Sequence, residues 1–90
     1  MGPPPYVLGS AFYWSGRPTE AIDYIKKAIR LNPMPAGFYY TMLGNCNFDL
    51  ERFNEALEFY KKNAEITPGS VYAHLGLAVT YIRMGREHEA

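Results

Sequence analysis

Cysteine is almost absent. Cys46 is the single one in 90 residues, so neither an internal disulfide nor a thiolate metal site can form within the chain. A lone thiol suits a reducing compartment, and a cytoplasmic location is the expectation. Net charge is missing too, since nine basic residues balance nine acidic ones. No overall field draws the chain to nucleic acid or to an anionic membrane. Long apolar runs are also lacking. Residues 31–48 carry no charge, but Pro33, Pro35, Gly37, Asn45 and Asn47 make them a poor membrane span. The opening "MGPPPYVLG" has neither the basic start nor the apolar run of a secretion signal, and Tyr6 stands where a myristoylation signal has Ser or Thr. A soluble protein is expected, with no membrane insertion and no nucleic-acid partner.

Catalytic apparatus is lacking as well. The sequence holds no nucleophile–base pair, phosphate-binding glycine loop or paired carboxylates in an apolar setting. No catalytic residue and no cofactor are assigned, and the reading is that of a protein that is not an enzyme. His74 and His88 are fourteen residues apart with no matching thiol or carboxylate set, which favours surface or groove polarity over a metal site. Cys46 lies between two asparagines with no adjacent His or Lys, and reads as a small packing residue. Lys26-Lys27 recurs as Lys61-Lys62, but acids interleave at helical distance, so a solvated face is favoured over a phosphate track.

Aromatics and a period are what the chain does have. Eight Tyr, five Phe and one Trp are many for this length. "EAIDYIKKAIRLNP" at residues 20–33 returns as "EALEFYKKNAEITP" at 55–68. Ala21, Ala56 and Ala90 mark the repeat at spacings of 35 and 34, and such a period signals stacked units. Gly16 and Gly85 fall at matching points of the first and third units, and Pro33 and Pro68 close the first two. Charge is segregated within each unit. All eighteen charges lie in 17–30, 49–65 and 83–89, while 1–16, 34–48 and 67–82 have none.

The charged halves read as amphipathic helices, with Ala21, Ile22, Ile25, Ala28 and Ile29 on one stripe of the first. Pro18 fits a first helical turn, Asn54 is placed to cap the second such helix, and Asn32-Pro33 and Thr67-Pro68 stop both. The uncharged halves read as helices apolar around most of their circumference, which need cover on more than one side. One such hairpin cannot bury its face alone, and stacking supplies the cover.

"LGSAFYWSGRPTEAIDYIKKAIRLNP" and "LGNCNFDLERFNEALEFYKKNAEITP" resemble tetratricopeptide repeats (TPRs), and "GLAVTYIRMGREHEA" resembles the opening of a third. Gly9, Gly44 and Ala78 match the small position of the inner helix, and Ala21, Ala56 and Ala90 that of the outer helix. The resemblance implies an all-α helical hairpin solenoid, with antiparallel helix pairs in a right-handed superhelix. The expected units are 2–36 (helices about 4–15 and 18–31), 37–70 (helices about 37–50 and 53–66) and a partial third, 71–90 (a helix about 70–84 and a second from about 87). Three departures stand out. Glu51 replaces the glycine usual between the helices, at a cost of about 1 kcal/mol if the backbone is left-handed there. Asn63 stands in place of a small apolar residue and Asn47 in place of an aromatic, so looser packing is expected in the second unit. A fainter resemblance is to TPR arrays behind bacterial nucleotide cyclase domains, which would give this segment a regulatory or docking role.

In TPR folds the first helix of each unit lines a concave face that binds protein or peptide partners. By resemblance that face takes Tyr6, Ser10 and Tyr13 from the first unit; Phe38, Thr41, Asn45, Phe48 and Asp49 from the second; and Tyr72, Leu75, Val79, Ile82 and Arg83 from the third. Of the Lys, Arg and Asn with which chaperone-type TPRs grip a carboxylate, only Asn45 is matched, which argues against such a clamp. The groove would instead take a peptide or helix with apolar anchors, and the Asn45 amide would hold the ligand backbone. The same aromatics would also serve simply to pack the solenoid. The last inner helix lacks its outer partner, so it belongs to a longer array or is covered by another chain, including a second copy paired near Leu77, Ala78 and Tyr81.

Overall fold

The computed structural model describes residues 2–31 and 37–89. Five helices follow one another: α1 (Pro5–Trp14), α2 (Pro18–Leu31), α3 (Gly37–Asp49), α4 (Phe53–Ile66) and α5 (Val71–Glu89). No strand occurs among the described residues. The body is elongated, 50 × 27 × 17 Å, with α1 packed most closely on α2, α3 on α4, and α5 against α4. The proposed helix stop at Asn32-Pro33 and the repeat mark at Ala90 lie outside the described residues.

Both hairpin turns are built the same way. After α1, Gly16 N–H donates to Tyr13 C=O (3.2 Å) and Arg17 N–H to Phe12 C=O (2.9 Å). After α3, Glu51 N–H donates to Phe48 C=O (2.9 Å) and Arg52 N–H to Asn47 C=O (2.8 Å). This pair of bonds satisfies two orphan carbonyls and requires a left-handed residue just past the helix. Gly16 takes it at φ 74° and Glu51 at φ 60°, so the strain foreseen at Glu51 is present. The turn also displaces the expected cap. Arg52, not Asn54, precedes α4, and no side chain caps that end. The double-bonded turn uses up Glu51 and Arg52, which starts the helix at Phe53 and leaves Asn54 inside it. At the far end Thr67, extended at φ −130° and ψ 83°, closes α4 before Pro68.

The third inner helix corrects a second expectation. No break occurs at Gly85, and α5 runs on to Glu89. Gly85 keeps ordinary helical dihedrals, unlike Gly16 with its positive φ, so it extends the helix and the backbone bonds continue through it.

The core runs between the hairpins. Ala21, Ile25, Leu43, Cys46 and Ala56 are at most 1% exposed, and Leu57 is buried, while Lys26 and Glu58 face solvent. Small residues let the helices touch. A Cβ at Gly9 would meet Ile25 Cγ1 at 2.8 Å, and one at Gly44 would meet the Tyr60 ring at 2.6 Å. Gly76 of α5 closes on the same ring from another helix. Tyr60, 3% exposed, is thus a flat wedge from α4 held between α3 and α5.

The two asparagines foreseen as loose spots are buried and bonded. Asn47 donates to Leu43 C=O (2.8 Å). Asn63 donates to Thr41 Oγ1 and to Ser70 Oγ, tying α4 to α3 and to the residue before α5. Among the described residues no buried side-chain polar atom is left without a partner.

The wedge gives a signed prediction. Gly44→Ala adds helix propensity of about 1 kcal/mol but pushes a methyl into the Tyr60 ring, an overpacking cost of about 1–3 kcal/mol. Urea denaturation is expected to show a net loss in the wild-type background and a gain in Tyr60→Leu, where the ring is gone. Equal effects in both backgrounds would show that the ring is not the obstacle.

Candidate functional site

One face of α1, α3 and α5 forms a continuous groove of two adjoining hollows. The first, about 360 Å³, lies between Ser10, Tyr13 and Trp14 of α1 and Phe38, Thr41, Met42 and Asn45 of α3, with Tyr72 of α5 at its edge. The second, about 250 Å³, is walled by Thr41, Asn45 and Phe48 of α3, Tyr60 of α4, and Tyr72, Leu75, Gly76 and Val79 of α5. Thr41, Asn45 and Tyr72 belong to both. Neither wall contains a charged side chain among the described residues.

Nine of the thirteen residues chosen from the sequence line this groove: Ser10, Tyr13, Phe38, Thr41, Asn45, Phe48, Tyr72, Leu75 and Val79. Four do not. Tyr6 borders a separate hollow with Pro4, Pro5, Ala28, Leu31 and Tyr39. Asp49 is exposed at the end of α3, and Ile82 is half exposed beyond the wall. Arg83 lays its guanidinium over Phe48 and Phe53, 5.5 and 5.4 Å from the ring centres, and reaches Glu51 at 3.7 Å. It braces the end of the groove through stacking and a solvent-exposed ion pair worth little by itself.

Trp14, Met42, Tyr60 and Gly76 are wall residues that sequence reasoning missed. Tyr60 lies in a charged, outward-reading half, and only the glycines at 44 and 76 hinted at it. Glycine in a helix interior is unfavourable and calls for a close neighbour. Trp14, 81% exposed, stands where α1 ends and rests edge-on against Tyr13 at 5.1 Å.

The floor is a polar relay. Tyr60 Oη donates to Asn45 Oδ1 (2.5 Å), and Asn45 Nδ2 donates to Tyr13 Oη (2.7 Å). One amide therefore joins α4, α3 and α1. Both of its ends are engaged, so of the donors and acceptors expected for a ligand backbone one N–H and one lone pair remain. Burial, then the neighbouring Tyr13, Asp49 and Cys46, raises the Tyr60 hydroxyl above the ordinary tyrosine range, so it stays a donor.

Behind the floor, burial first and Asp49 second push the Cys46 thiol up to about 12 from 9.0. A thiolate there is disfavoured, which suits packing and not reactivity.

A family model for the tetratricopeptide repeat matches residues 6–33 and 39–70. The chain belongs to the TPR family. It is 35% identical over 71 residues to small glutamine-rich tetratricopeptide repeat-containing protein 2 of Mycosarcoma maydis, covering 79% of this chain and 20% of that protein. It is 32% and 30% identical over 82 residues to sperm-associated antigen 1 of Mus musculus and Rattus norvegicus, covering 91% of this chain and 9% of each relative. The chain thus spans a fifth or less of the length of these curated relatives. The likeness to repeats attached to bacterial nucleotide cyclases finds no support among them. TPR membership makes this chain a protein-interaction module. No described helix is long and apolar enough to cross a membrane.

The Cys46 environment predicts both reactivity and pH dependence. Thiol reagents at neutral pH are expected to label Cys46 only as fast as the protein opens. Because the folded thiol holds its proton more tightly than the unfolded one, its contribution is complete below pH 9 and is lost between pH 9 and about 12. Denaturation midpoints across that range check this; a flat profile contradicts it.

Proposed function

We propose that this TPR module is a non-catalytic scaffold that takes a peptide or short helix with apolar anchors into the groove between α1, α3 and α5. The carrying observation is a wall of aromatic and aliphatic side chains with no charge, shared by three helices. Phe38, Tyr72, Leu75 and Trp14 are more than half exposed, a cost that a partner's burial would recover. Each large side chain so covered contributes roughly 1.5–3 kcal/mol. A carboxylate clamp is disfavoured because the wall lacks Lys and Arg and the Asn45 amide is already bonded at both ends. A cytoplasmic setting and a protein or peptide partner accompany this reading.

Trp14, the single tryptophan, is at the rim and reports occupancy by fluorescence. An apolar peptide is expected to shift its emission and bind more tightly than a charged peptide of equal length. Phe38→Ala, at an exposed site, should weaken that binding about tenfold or more. Equal, weak binding of both peptides, indifferent to Phe38→Ala, contradicts the groove.

A second reading, self-association through α5, is favoured by comparing equivalent positions. Leu43, Gly44 and Asn47 of α3 are buried beneath α4, whereas their counterparts Leu77, Ala78 and Tyr81 are half buried or exposed. Paired α5 helices from two copies would cover that face. Sedimentation at micromolar concentration decides: a dimer disrupted by Tyr81→Glu supports it, and a concentration-independent monomer removes it.

A further inference from the structure

Four aromatic side chains from three helices line the first hollow of the groove: Tyr13 and Trp14 of α1, Phe38 of α3 and Tyr72 of α5. The planes of Tyr13 and Trp14 stand almost perpendicular, at 83° with centres 5.1 Å apart, as adjacent walls of a box do. Tyr13 is also tied down, because its hydroxyl accepts the Asn45 N–H. Trp14, Phe38 and Tyr72 are more than half exposed, so the fold itself leaves most of their area uncovered.

A ring face carries the negative part of the aromatic quadrupole and attracts cations. Elsewhere this protein sets its own cations over its rings. Arg17 lies over Phe12, Lys26 over Phe59, and Arg83 over Phe48 and Phe53, each 5.3–5.9 Å from the ring centre. Among the described residues, none of the four rings at the first hollow has such a partner. The rest of that lining is neutral, and no carboxylate is part of it. A bare ammonium is strongly hydrated and needs acceptors for three N–H groups, which this wall does not offer as carboxylates. A quaternary ammonium has no N–H to satisfy, and it presents methyl groups to the rings while keeping its charge. The hollow, about 360 Å³, has room for such a group.

The adjoining hollow indicates what carries the cation. Thr41, Asn45 and Tyr72 border both, while Leu75 and Val79 line only the second. A peptide can set a methylated side chain in one and an apolar neighbour in the other. A free small cation would use the first alone. On the peptide-groove reading given above, we propose that the first hollow is an aromatic cage for a quaternary ammonium group on the partner, trimethylated lysine being the side chain that supplies one. The second hollow then takes the apolar anchor beside it.

The test is titration of the protein with three capped pentapeptides of sequence Ala-Leu-Lys-Leu-Ala, followed by Trp14 emission. In one the lysine is trimethylated, in one it is unmodified, and in one a tert-butyl group replaces the trimethylammonium. The trimethylated peptide is expected to bind about two- to thirtyfold more tightly than its neutral counterpart, the range that ring–cation attraction provides. The unmodified peptide should bind more weakly than the trimethylated one. Tyr72→Leu keeps apolar area at an exposed position but removes a ring face, so it should abolish the preference for the trimethylated peptide over the neutral one. Equal or tighter binding of the neutral peptide overturns the cage and leaves the apolar groove standing, whereas no binding by any of the three removes both. A preference for unmodified lysine, or one that survives Tyr72→Leu, also overturns the cage. Choline binding as tightly as the trimethylated peptide would overturn the choice of a peptide as carrier.

Discussion

The seating of the Tyr60 ring between Gly44 and Gly76 is the constraint on which the rest depends. It sets the spacing of α3, α4 and α5 at one point, because neither inner helix has a side chain that would hold the ring off. It also delivers a hydroxyl to Asn45, whose amide passes the connection to Tyr13. Outer-helix packing and groove shape are therefore the same event. A ring shifted by the width of a methyl group would break the relay, and the groove floor would lose its polar connection to α1.

Departures from the family pattern are compensated locally. Asn63, where a small apolar side chain is usual, donates to Thr41 and Ser70, and Gly37 leaves it room. Asn47 returns its amide to the carbonyl one turn back. Glu51 carries the left-handed strain that glycine avoids in the first turn, and its carboxylate lies beside Arg83 of α5. Each substitution replaces apolar contact or backbone ease with a bond to a neighbouring helix.

The helices were legible because charge and period are local properties. Ala21, Ile22, Ile25 and Ala28 announce a buried stripe, and Gly9 and Gly44 announce close approach, before any contact is known. Most of the groove wall was legible too, since residues three and four apart on an inner helix share a face. What escaped depends on contacts between distant segments. Tyr60 reads as an outer-helix residue until two glycines, 16 residues away on either side, are seen to flank it. Asn45 reads as a free amide until both hydroxyl partners are in place. Arg83 reads as a groove cation until the rings of Phe48 and Phe53 are seen beneath it, and Gly85 reads as a turn although α5 passes through it in ordinary helical form.

The absence of charge from the groove wall has a kinetic consequence. A wall without ionic groups gives an approaching partner no long-range pull, so encounter should proceed at the ordinary unsteered rate of about 10⁵–10⁷ M⁻¹s⁻¹. Added salt would then have little to screen at the point of contact. Discrimination between partners would be expressed in how long each one stays.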